Sequence, residues 1–167
     1  MLDKLRQTIA APLPTKARKT LKKPQPLLMD RGQVYAYPVN SRGNCINPYF
    51  RDKAQAQFTA AGWAAFLVVN CGHALGYLAW YQLASRSAVT REQPDLPSAI
   101  ASIDLDRIGI GTMTKSHAAK MEIALLGEAD PVPAISPPGV RAAVSTTASD
   151  ISLSNLLSRW ATPGSFP

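Results

Sequence analysis

Residues 54–85 carry no formal charge, and this run constrains the fold of the chain more than any other feature. Residues 60–81 alone are long enough to cross a bilayer as a helix. The middle of the run argues against that. Asn70, Cys71, Gly72 and His73 would bring an amide, an imidazole and a glycine to mid-bilayer, where unpartnered polar groups are costly. The same tetrapeptide divides the run into two pieces of strand length, 63–69 and 74–83, so no transmembrane span is expected. The favoured reading is a β-hairpin that reverses at residues 70–73, with Gly72 available for a positive φ. A buried helical hairpin or one buried helix is the rival, because alanine and leucine also tolerate helix.

The net charge of +7 belongs almost wholly to one end. Residues 1–31 hold eight cations and two acids, a net +6, which leaves +1 for the rest. A nearly neutral body therefore carries a basic arm. Leu2, Leu5 and Ile9 recur at helical spacing before Pro12 and Pro14 stop the pattern, which predicts a short amphipathic helix. Asp3, Lys4 and Arg6 interrupt any apolar start, so no export signal is read and a cytoplasmic location is expected. Two cysteines in 167 residues exclude a disulfide scaffold.

Domain boundaries follow the composition: 1–31 a flexible basic arm, 32–127 an α+β core, 128–148 a proline-rich linker, and 149–167 a C-terminal helix and tail. Residues 33–39 alternate, with Val34, Ala36 and Pro38 on one side and Tyr35, Tyr37 and Val39 on the other. That predicts a strand whose end Pro38 makes an edge or an exit. Residues 40–44 read as a turn, 45–50 as a short strand or ordered loop, and 86–98, with Pro94 and Pro97, as a loop. A further strand is expected within 100–110, closed by Gly109 and Gly111. Thr114 then caps a helix over 115–126, with Gly127 just beyond its end. Ser149 or Asp150 caps a last helix bearing Leu153, Leu156, Leu157 and Trp160. Strands that follow one another without intervening helices favour an antiparallel sheet, either a small α+β sheet or an SH3-like partial barrel with peripheral helices. Residues 31–39 and the glycine turn after them resemble the opening of small SH3-like barrels and of bacterial immunity proteins. The resemblance covers about ten residues and assigns no role to any of them.

Several constellations bear on chemistry. Cys71 and His73 are close enough for a thiolate–imidazole pair, although a glycine between them favours a turn. Cys45, Cys71, His73 and His117 make a Cys₂His₂ set by count but lack paired zinc-ligand spacing, so no metal is expected. Asp104 and Asp106 would share a strand face, the minimum for a Mg²⁺-dependent nuclease. Gly109 and Gly111 lack the rest of a phosphate-binding loop, and no cofactor is expected. Lys16, Arg18, Lys19, Lys22 and Lys23 place five cations in eight residues, suited to a nucleic-acid phosphate backbone or to anionic lipid. Tyr35, Tyr37, Tyr77, Trp80 and Tyr81 are the candidate contacts for a protein partner. The reading that results is a non-enzymatic binding protein that occupies a surface on a protein partner, as an inhibitor, immunity protein or accessory factor does. The alternative is a nucleic-acid-associated protein working through its arm, and the second alternative a small nuclease-like hydrolase.

Overall fold

The structure, a computed structural model, describes residues 23–86, 89–132 and 152–160. Five strands form one antiparallel sheet: β1 (Gln33–Val39), β2 (Gly62–Ala74), β3 (Leu78–Arg86), β4 (Ile103–Gly111) and β5 (Ala124–Glu128). Their spatial order is β4-β3-β2-β1-β5, so the first four make a meander and the last returns to flank the first. Among the described residues three short helices accompany them: α1 (Leu96–Ala101), α2 (Lys115–Lys120) and α3 (Leu153–Trp160). The sheet is curled into a half-barrel, and each of three ladders carries a register shift of the kind that bends and twists a strand.

The uncharged run is the β2–β3 hairpin. Among the described residues no helix is long and apolar enough to cross a membrane. The reversal falls later than the sequence suggests. Asn70 to His73 remain in β2, paired with Gln82 to Ala79, and the chain turns at Leu75 and Gly76, whose φ angles are +54° and +75°. Gly72 serves the partner strand instead. A Cβ there would sit 3.0 Å from Cζ2 of Trp80, so the glycine lets the indole lie against the backbone.

Alternation divides the sheet between two cores. Tyr35, Tyr37 and Val39 of β1, Phe66 and Val68 of β2, and Ala79, Tyr81 and Leu83 of β3 face one side, where Leu153 and Leu157 of α3, Met113, Met121 and Met29 cover them. Val34, Ala65, Leu67, Val69 and Ala84 face the other, under Leu96 and Ala99 of α1. Met29 and α3 thus share the core of the sheet. Pro38 is tolerated within β1 because β5 has already ended at the Ala36–Ala124 pair, so that flank needs no donor from it.

Two local expectations are corrected. The helix after Thr114 stops at Lys120. Met121 plugs the core, Glu122 takes φ +55°, and residues 124–128 pair with β1, so burial in a sheet overrides helical spacing. Residues 86–98 are not all loop. Asp95 caps α1 by accepting the Ser98 N–H at 2.9 Å, and Pro97 lies in the first turn, where its missing donor costs nothing. Ser149 and Asp150 lie outside the described residues, and the Ser152 hydroxyl accepts the Asn155 N–H at 3.3 Å at the start of α3.

Candidate partner-binding surface

The connection from β1 to β2 is long but ordered by its own side chains. Asn40 Oδ1 accepts the N–H groups of Arg42 and Asn44, at 2.9 and 3.0 Å. Asn47 Oδ1 accepts that of Tyr49 at 3.0 Å, and Asp52 Oδ1 that of Gln55 at 2.8 Å. Such side-chain mimics of turns suit Asn and Asp. They present Tyr49 and Phe50 side by side at the surface, 56% and 45% exposed.

Helix α2 holds this ridge from the other side. Lys120 Nζ donates to the carbonyl oxygens of Pro48 (3.3 Å) and Phe50 (3.0 Å), and Lys53 pairs with Glu122 at 2.6 Å. The Tyr49 ring meets the His117 ring edge-on, with centroids 4.9 Å apart at 68°. The imidazole is held below its ordinary pKa, first by partial burial and then by the Lys120 charge, so it is neutral at pH 7. Two clefts open beside the ridge. One, of about 130 Å³, runs from Tyr49 and His117 to Leu78, Thr112 and Gln25. The other, of about 200 Å³, lies under Phe50 among Arg51, Lys53, Lys120 and Glu122. The result is a pair of exposed aromatic side chains set among charged groups.

The residues singled out from sequence fall elsewhere. Tyr35, Tyr37 and Tyr81 are buried; burial raises the pKa of all three phenols, and their rings fill the core. Tyr77 and Trp80 are half-buried near the hairpin end. Lys23 is exposed, while Lys16, Arg18, Lys19 and Lys22 lie outside the described residues. Tyr49 and Phe50 were legible only as two aromatics following Asn47 and Pro48 in a polar stretch.

Cys71 and His73 do share a face of β2, yet burial pushes the thiol pKa up, opposite to what a nucleophile needs, and His73 Nε2 is engaged 2.7 Å from the Gln25 carbonyl oxygen. Cys45 is buried, its Sγ 3.4 Å from the Ser154 carbonyl oxygen. Asp104 and Asp106 both fall in β4, whose ladder with β3 shifts register between the Ser85–Asp104 and Ala84–Ile108 pairs; Asp104 lies 3.5 Å from Arg107. Among the described residues no group of three or more His, Cys, Asp or Glu side chains comes together.

No protein-family model matches the chain, and comparison with curated proteins and with solved structures finds no match.

Proposed function

We propose that this chain is a non-enzymatic binding protein of the cytoplasm, built on an SH3-like partial barrel, that occupies a surface on a protein partner through the Tyr49–Phe50 ridge. The observation that carries the reading is that two adjacent aromatic rings stand exposed on a backbone bonded to Lys120 and Asn47, with the Tyr49 ring set edge-on to that of His117. Aromatic anchors held in place before contact lose little entropy on binding, and a polar rim around them is the usual anatomy of a protein interface. Arg51, Lys53 and Glu122 supply that rim.

The experiment is affinity capture with the full chain beside Tyr49→Ser/Phe50→Ser, followed by reciprocal capture with each retained protein. A partner held by the wild type and lost by the double variant, at unchanged thermal midpoint, supports the reading. Equal retention by both would sink it. Capture of nuclease-sensitive material alone would favour the nucleic-acid alternative through Lys16, Arg18, Lys19, Lys22 and Lys23.

A further inference from the structure

The cleft under Phe50 holds more cationic donors than it uses. Its wall carries three cations, Arg51, Lys53 and Lys120, and two acids, Asp52 and Glu122. Both acids are engaged. Glu122 pairs with Lys53 at 2.6 Å, and Asp52 Oδ1 accepts the Gln55 N–H at 2.8 Å. Two of the cations are not matched by a carboxylate. Lys120 directs two of the three donors of its ammonium to the Pro48 and Phe50 carbonyl oxygens, which bear no net charge. The Arg51 guanidinium, with five donors, is exposed and makes no ion pair or side-chain hydrogen bond among the described residues.

Volume and charge together select an occupant. The cleft, at about 200 Å³, is smaller than the roughly 300–1,000 Å³ pockets that enclose a cofactor or metabolite, yet it has room for one amino-acid side chain. A run of nucleic-acid phosphates would meet Arg51 and Lys120 but also Asp52 and Glu122 on the same wall, and like charges brought together repel. A single carboxylate has only the two unmatched cations to satisfy. An arginine fork grips such a group through two parallel N–H donors. Phe50, 45% exposed above the cleft, offers its ring to an apolar neighbour of that carboxylate.

We infer that the ridge recognises an acidic segment of its partner protein: an Asp or Glu side chain enters the cleft under Phe50 and is held by Arg51 and Lys120, while an adjacent apolar side chain packs on the Phe50 ring. This recognition rests on the ridge being the contact surface, as proposed above, and adds the chemistry of what is contacted. Arg51 is the side chain that reads the acid, because Lys120 is already committed to the backbone of the ridge.

The test is selection of a displayed random-peptide library on the full chain, with Tyr49→Ser/Phe50→Ser as a parallel bait. Peptides that prefer the wild type are expected to be enriched in Asp or Glu next to an apolar residue. The best of them, synthesised with a fluorophore, should bind the wild type more weakly as salt is added. Its affinity for Arg51→Glu should be about tenfold lower, the order of one charge-assisted hydrogen-bonded pair, and Arg51→Lys, which keeps the charge, should lose less. Arg51 is exposed, so the thermal midpoint should hold in both variants. Ridge-dependent peptides without an excess of acids, or acidic peptides bound equally by Arg51→Glu, overturn the inference and leave the ridge as the contact surface. If no peptide prefers the wild type, the inference is overturned, and affinity capture beside the double variant shows separately whether the ridge holds a partner. Binding of single-stranded oligothymidylate that is lost in the double variant would assign the cleft to nucleic acid and overturn it as well.

Discussion

Lys120 Nζ lies 3.0 Å from the carbonyl oxygen of Phe50, a residue seventy positions earlier in the chain. One ammonium thus fixes the backbone of the exposed aromatic ridge and, 3.3 Å from the Pro48 carbonyl oxygen, the turn before it. Lys120→Met keeps the stem and removes the donor. Stability should fall by no more than about 1 kcal/mol, because the ammonium is exposed and the freed carbonyls rehydrate. Partner affinity should fall further, by roughly fivefold, since the loop must then be ordered on contact. Denaturant titration beside a binding isotherm separates the two effects.

His117 gives the ridge a pH dependence of known sign. Its folded pKa lies below the ordinary 6.5, because partial burial and Lys120 both disfavour the charged ring. The unfolded chain therefore binds the proton more readily, so this group's contribution is present above 6.5 and is lost as pH falls through that value toward the folded pKa. His117→Asn should flatten the acid side of a plot of thermal midpoint against pH. An unchanged acid limb would show that His117 does not contribute.

Gln82 is fully buried in β3, and neither its Nε2 nor its Oε1 has a hydrogen-bond partner. A buried carboxamide without partners costs about 1–3 kcal/mol. Gln82→Met, close in volume, should therefore raise the free energy of unfolding, by about 1 kcal/mol once imperfect packing is allowed for. A loss of stability instead would mean that the carboxamide is satisfied in solution.

The Tyr81 hydroxyl accepts the Leu28 N–H at 2.8 Å and ties residues 23–29 to the sheet. Tyr81→Phe leaves the buried ring in place and strands that donor, at a cost of about 1 kcal/mol. Hydrogen exchange at Leu28 should quicken more than at Phe66. Uniform acceleration would instead place the loss in the core.

The hairpin was legible because Asn70 to His73 divide the uncharged run into two pieces of strand length, although alanine and leucine left a buried helix as the rival. Its turn was misplaced because Gly72 looks like punctuation, whereas its missing side chain makes room for the Trp80 indole. That contact belongs to the partner strand and is silent in local sequence. β5 was hidden for a related reason. Ala118, Met121, Ala124 and Leu125 keep helical spacing, and only pairing with β1 settles residues 124–128 as a strand. Of the aromatic ridge only the Tyr49–Phe50 pair in a polar stretch was legible, since the lysine that fixes it comes from α2. Composition did favour Tyr35, Tyr37 and Tyr81 as contacts, but residue type alone cannot tell a binding ring from a core one.

The strand order also sets a timetable. β1 is made first, yet one of its flanks has no neighbour until β5 exists, after three other strands and two helices have been synthesised. During elongation β1 is a sheet edge, with ladder groups at residues 33–36 open to pairing with another nascent chain. The half-barrel therefore depends on its last strand to shield its first, and a chain cut short before residue 124 would be hazardous to its neighbours on a polysome as well as incomplete.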